Sequence, residues 1–228
     1  MQSTRAVPRR PVMLLAIVGA LAALALVGRP AEAHDHTRHA ASRAQVSSAE
    51  LALRQEMRRL WEEHVTWTRL AIISLTTDAP DTDATVGRLL RNQTDLGNAI
   101  APFYGAAAGK QLTRLLREHI LIAADLIAAA KNGDAGALAS QQARWNRNAD
   151  EIAAFLSRAN PKSWKPAPTK AMMRAHLGLT TAEVVARLKR DWAADVRAYD
   201  RTHRQILHMA DMLSAGIVAQ FPDRFRQR

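Results

Sequence analysis

The sequence predicts an all-α protein, an up-and-down bundle of four or five long helices with one additional short helix. Three observations carry this. Apolar residues recur at the helical period over long stretches, no stretch alternates apolar and polar residues between turn signals, and the breaks are short and marked by Pro, Gly, Asn or Asp. Long amphipathic helices joined by short loops pack as antiparallel neighbours around one core.

Taken in order, Ser47-x-x-Glu50 has the form of a capping box and opens a helix reaching about Thr76. Leu53, Met57, Leu60, Trp61, Val65, Ile72 and Leu75 give it one apolar face, and Asp78, Pro80 and Asp81 break it. A second helix runs from about Thr82 to Ala101, where Pro102 and then Gly105 end or bend it. The third carries Leu112, Leu115, Leu116, Ile120, Ile122 and Leu126 as far as Asn132-Gly133. The fourth runs from Asp134 to about Arg158 and is closed by Asn160-Pro161. The Pro-rich stretch Pro161 to Pro168 reads as a linker before the short helix near Thr169 to Leu177. Thr180-x-x-Glu183 then reads as the cap of a last helix of about forty residues, reaching toward Phe221. No internal repeat is visible. The lack of strands excludes dinucleotide folds and strand-borne nucleophile elbows.

Ahead of the helices lies an export signal. Arg5, Arg9 and Arg10 precede the apolar run Val12 to Val27, which is followed by Gly28, Pro30 and the small-residue site Ala31-Glu32-Ala33. As a helix that run would span about 24 Å, against about 30 Å of bilayer hydrocarbon. Residues 1–33 therefore read as a cleavable signal peptide, 34–46 as a flexible tail containing histidines, and 47–228 as a single helical-bundle domain. The expected location is periplasmic or extracellular, with an uncleaved N-terminal membrane anchor as the runner-up. The released chain is expected to contain no transmembrane helix.

The absence of cysteine excludes disulfides, thiolate metal sites and a cysteine nucleophile, so stability must come from packing. The formal charge of +11 becomes +8 once Arg5, Arg9, Arg10, Arg29 and Glu32 are removed, leaving 28 basic against 20 acidic residues. Outside the cytoplasm such a balance serves solubility or attraction to an anionic envelope surface. Arg187, Arg190, Arg197, Arg201 and Arg204 read as one basic face of the last helix, with Asp191, Asp195 and Asp200 interleaved. Aromatic residues are too few for a base-stacking platform, which argues against nucleic acid.

Three clusters carry ligand chemistry. Cleavage after Ala33 would free an amine at His34, and with the amides of Asp35 and His36 and the His36 imidazole it forms a square-planar chelate for Cu(II) or Ni(II). His64 lies on the line Met57, Leu60, Trp61, His64, and His119 on Leu112, Leu115, His119, Ile122, so both imidazoles fall on apolar faces. Buried imidazoles need partners, and Glu62, Glu63, Arg69, Asn92, Asp95, Asn98, Glu118, Asn148 and Asp211 are within reach in sequence terms. The plain reading is a hydrogen-bonded polar layer that sets helix register; the ligand reading is a polar pocket of His64, Asn92, Asp95, Asn98, His119 and Asp211. In the third cluster Met172 and Met173 precede His176 by one turn, and Met209 and Met212 follow His208, a thioether and imidazole set that suits reduced copper if it is not core packing. Two Glu-x-x-His pairs, the mark of a di-iron bundle, are absent; Asp200-x-x-His203 is the nearest approach.

Trp61-Glu62-Glu63-His64-Val65-Thr66-Trp67-Thr68-Arg69, Asn92-Gln93-Thr94-Asp95-Leu96-Gly97-Asn98 with Pro102-Phe103-Tyr104-Gly105, and Glu118-His119-Ile120-Leu121 form a pattern. On it the chain resembles an uncharacterised bacterial all-helical family, through Ala210-Asp211-Met212-Leu213-Ser214. Some relatives carry glycosyltransferase or acetylglutamate kinase labels, chemistries whose strand-borne nucleotide site this sequence lacks. The resemblance implies a shared helical domain with His64, Asn92, Asp95, Asn98, His119 and Asp211 among its motif positions. The expected function is that of an exported binding protein, taking copper or another divalent metal, or a small ligand, between helices. The rivals are an envelope-interacting structural protein and a hydrolase-like enzyme with a His general base oriented by Glu63 or Glu118.

Overall fold

The computed structural model describes residues 46–226, so the segment read as a signal peptide and the tail with His34 and His36 lie outside it. The described residues form six long α-helices in chain order: α1 (Ser48–Thr77), α2 (Thr82–Tyr104), α3 (Ala106–Asn132), α4 (Ala135–Ala159), α5 (Pro166–Leu188) and α6 (Trp192–Gln220). A single 3₁₀ turn, Pro222–Arg224, follows. No strand occurs among them, and none of the helices is long and apolar enough to cross a membrane.

Local chemistry sets most of the boundaries. Ser47 accepts the Glu50 N–H as the capping box requires, while Asp134 caps Ala137 and Asp191 caps Ala194. Gly133 ends α3 in the left-handed conformation, and Gly105 alone separates α2 from α3. Pro102 sits inside the last turn of α2 without ending it.

The C-terminal third departs from the sequence reading. The short helix is a full-length one of 23 residues, and the long last helix is broken at Lys189–Asp191. Thr180 caps nothing: its hydroxyl donates to the His176 carbonyl in mid-helix. The break is a Schellman turn, with Asp191 N–H to the Ala186 carbonyl and Arg190 N–H to the Arg187 carbonyl, and the left-handed position that glycine usually fills is held by Arg190 at φ 59°. No glycine, asparagine or proline marked it. Asp195 pins the corner: nearly inaccessible, it takes both guanidinium nitrogens of Arg69 at 2.8 and 2.9 Å and one of Arg187 at 3.0 Å, while Arg69 also holds buried Glu183 at 2.8 Å. The proposed arginine stripe is therefore not one face, since Arg187 belongs to α5 and is ion-paired inward.

Each helix packs on the next, and α6 returns to α1, closing a ring; α1 also touches α3 and α5. One principal apolar core runs through it, from Met57, Leu60 and Trp61 to Met209, Leu213 and Ile217. Helices α2 and α3 approach most closely where Gly97 faces Gly109, because a Cβ on Gly97 would overlap Thr113 Oγ1 and come within 2.5 Å of the Gly109 carbonyl oxygen. Alanine for glycine inside a helix ordinarily gains about 1 kcal/mol. Here overpacking should reverse the sign, and Gly97→Ala is expected to cost at least 1–3 kcal/mol, seen as a lowered urea midpoint.

Candidate functional site

Three histidines, one from each odd-numbered helix, converge on one interior cavity. His64 comes from α1, His119 from α3 and His176 from α5, and all three are buried. The His176 ring lies 6.0 Å from that of His64 and 6.2 Å from that of His119, centroid to centroid. Met57, Met173 and Met209 line the same cavity, with Trp61, Trp164 and Tyr104 among the aromatic walls. The space open to the centre of a water-sized sphere is about 30 Å³. That suffices for an ion or a water or two, and falls far short of the roughly 300–1,000 Å³ of a pocket for a drug-sized molecule.

Each imidazole is held by a carboxamide on the following helix. His119 Nδ1 lies 2.8 Å from Asn148 Oδ1, His176 Nδ1 lies 3.1 Å from Gln205 Oε1, and Gln93 Nε2 lies 3.3 Å from His64 Nδ1. In each case the carboxamide residue is 29 positions after its histidine. A second bond repeats as well. The carbonyl four residues before each histidine accepts from a carboxamide: Leu60 from Asn92 at 2.9 Å, Leu115 from Asn148 at 3.1 Å and Met172 from Gln205 at 3.5 Å. In the second and third pairs one residue makes both contacts; in the first the work is divided between adjacent Asn92 and Gln93. The bundle is thus three helical hairpins carrying one device, a repeat the sequence did not disclose. The shared string is only two large apolar residues, two variable ones, His and an aliphatic residue: Leu60-Trp61-Glu62-Glu63-His64-Val65, Leu115-Leu116-Arg117-Glu118-His119-Ile120 and Met172-Met173-Arg174-Ala175-His176-Leu177.

The carboxamide oxygens facing His119 and His176 accept a hydrogen bond, which makes Nδ1 the protonated nitrogen and leaves the Nε2 lone pair free. At His64 the sense is reversed: the Gln93 amide nitrogen donates to Nδ1, so the ring proton sits on Nε2. Burial pushes His119 down to about 3 and His176 down to about 4. His64 is also held well below its ordinary value, by burial first and then by repulsion from His176 and His119. All three are neutral at pH 7, the state in which imidazole binds metals. Two indole N–H groups on the cavity wall, those of Trp61 and Trp164, are buried without an acceptor among the described residues. Among those residues no three His, Asp or Glu side chains are drawn together tightly enough to grip an ion as they stand.

Several sequence candidates lie elsewhere. Asn92 is buried one layer outside the imidazoles, but Asp95 and Asn98 are exposed in a groove with Glu56, Arg59 and Arg224, because they point away from the ring interior. Asp211 pairs with Arg58 at 2.5 Å on the outside. Met173, Met209 and His176 reach the cavity; Met172 and Met212 pack only partly buried against the core, and His208 is exposed, so the two thioether clusters do not form as units. Neither carboxylate assigned to a general base touches a histidine: Glu63 is held by Arg59 and Arg88, and Glu118 faces Arg114. Glu62 instead pairs with His203 at 2.7 Å. Sequence reasoning missed Gln93 and Gln205 as partners; each is a polar residue on an apolar helical line, Leu89-Gln93-Leu96-Ile100 and Thr202-Gln205-Met209, and that interruption was the available signal.

No family model, curated protein or solved structure matches the chain. The class of site is therefore defined by its own geometry: an interior imidazole and thioether cavity in a closed helical ring.

These titrations set a pH dependence. A histidine whose pKa falls on folding leaves the unfolded chain with more bound protons, so stability is intact above about pH 6.5 and is lost as pH falls. Glu183, pushed up to about 6 by burial against the opposing pull of Arg69, acts in the reverse sense between about 6 and 4.5. At pH 5 His119 and His176 each cost about 2 kcal/mol and Glu183 returns about 1, a net loss of roughly 3 kcal/mol relative to pH 7, with His64 acting in the same direction. Denaturant unfolding at the two pH values should show it, and replacing His119 by Leu should flatten the acid limb.

Proposed function

We propose that the protein is an exported metal-binding protein whose interior cavity holds one ion through the imidazoles of His119 and His176, with His64 beside them and copper the first metal to test. The observation that supports this is the repeated support of three neutral imidazoles around a space of ionic size. Metal-ligating histidines characteristically have their second ring nitrogen fixed by an amide, carboxylate or carbonyl, which orients the ring and sets the tautomer. The thioethers of Met57, Met173 and Met209 add soft donors on the same wall.

Protein purified without a His tag, with His34, His36 and His39 replaced by alanine, should take up one copper ion per chain, and saturation at about a hundred times the dissociation constant should stabilise it by about 2.7 kcal/mol. The double variant His119→Leu/His176→Leu should lose both the ion and the stabilisation. Metal at background in elemental analysis of the parent protein, or equal uptake by the double variant, rejects the reading.

A second reading, contact with an anionic envelope surface, is favoured at a different place. Around the α5–α6 corner Val185, Trp192 and Val196 are exposed, and Lys189, Arg190, Arg197, Arg201 and Arg204 have no carboxylate partner among the described residues. Tryptophan beside basic residues is the composition of an interfacial anchor. The protein should then sediment with vesicles containing phosphatidylglycerol and not with phosphatidylcholine alone, and Trp192→Ser/Val196→Ser should abolish this while Lys110→Gln/Arg147→Gln does not. Equal losses in both variants would assign the binding to general charge.

A further inference from the structure

The lining of the cavity says which charge the ion carries. Its residues are His, Met, aromatic and aliphatic side chains, and none is a carboxylate. The two buried carboxylates among the described residues, Glu183 and Asp195, are both committed to Arg69, and Asp195 also to Arg187. Glu62 and Glu63, the acids nearest His64 in sequence, are taken up by His203 and by Arg59 and Arg88. An ion in this cavity therefore meets neutral donors and no compensating negative charge.

That constraint separates ions by charge. The cost of moving an ion from water to a poorly polarisable interior rises with the square of its charge, so an uncompensated divalent cation costs about four times as much as a monovalent one of equal size. Zinc sites offset this with thiolate or carboxylate ligands or with a bound hydroxide, and the space here leaves little room for extra ligands. Thioethers discriminate in the same direction, because soft sulfur favours the reduced, monovalent form of copper. The two oriented rings, those of His119 and His176, are the firmest pair of donors, with Nε2 free on each and centroids 6.2 Å apart. An ion bridging two imidazole nitrogens at about 2 Å in a nearly linear arrangement spaces the centroids by about 6.3 Å. The 6.2 Å between the two centroids is close to that spacing.

We infer that the cavity is a site for a soft monovalent ion, Cu(I) or Ag(I), bridged by His119 and His176 and completed by the methionine sulfurs, and that it discriminates against divalent metals. This rests on the metal reading above and narrows it. No redox step is involved; the ion enters and leaves in one oxidation state.

The test is a set of competition titrations on the protein in a His34→Ala/His36→Ala/His39→Ala background, so that the imidazoles of the tail do not report. Ag(I), Cu(I) held reduced under anaerobic conditions, and Zn(II) are compared, together with ring-nitrogen NMR of the histidines. Ag(I) and Cu(I) should bind at least a hundredfold more tightly than Zn(II). The His119 and His176 signals should shift on addition of Ag(I), and His119→Leu/His176→Leu should abolish that binding. Zn(II) bound as tightly as Ag(I) by the same histidines would overturn the charge inference and leave the metal reading standing. Absence of binding by any of the three ions would overturn both. Ag(I) binding that leaves the His119 and His176 signals unmoved would place the ion outside the cavity and overturn the inference.

Discussion

Everything in this bundle is arranged around the desolvation of three imidazoles. An unsatisfied polar group in a core costs about 1–3 kcal/mol, and three together would remove a large part of a domain's net stability of roughly 5–15 kcal/mol. Each histidine is therefore met by a carboxamide from the next helix, and the 29-residue separation common to all three pairs locks the register of α1 on α2, α3 on α4 and α5 on α6. The neighbouring carbonyl contacts fix the same registers a second time. Ring closure then follows from packing three such hairpins with the histidine-bearing helices in mutual reach. Buried polar pairs specify an arrangement more than they stabilise it, since leucines of like volume would cost less to bury.

That arrangement explains both what the sequence disclosed and what it concealed. The helical class, the first four helices and their caps were legible because they depend on local chemistry: Ser47, Asp134, Asn132-Gly133 and Asn160-Pro161 act within one turn of themselves. The α5–α6 break was not, because its left-handed residue is an arginine and its stability comes from Arg69, far away in sequence, reaching Asp195. Here tertiary ion pairing does the work that a glycine would do alone. The same corner turned what looked like one basic stripe into an inward pair and an outward set.

At the site, His64 and His119 were legible as polar residues on apolar faces, and His176 as part of a thioether cluster. That they share one cavity was not, since a helical period reports which face a residue occupies and not which other helix it meets. Asp95, Asn98 and Asp211 illustrate the converse: proximity in a motif carried them into the candidate set, yet one turn of a helix is enough to send them outside. The threefold repeat escaped for a related reason. Its conserved content is geometric, one imidazole and one carboxamide a fixed distance apart, while the intervening apolar residues differ freely in size between Leu60-Trp61, Leu115-Leu116 and Met172-Met173.

A core that only needed register could have used one buried polar pair and filled the other two positions with leucine. Three neutral bases that repel one another's protons, around a space too small for an organic ligand and walled by sulfur and aromatic carbon, form a costly solution to a purely structural problem. The cost makes sense if the bases are held ready for a guest that needs lone pairs. A hydrolytic site built on a histidine base would use an acid to orient it. Glu63 and Glu118, the acids in position to do so, are turned outward to arginines instead. What remains inside is uncharged and soft, and the guest we propose for such a setting is a cation weakly charged enough to be left there without a counter-ion.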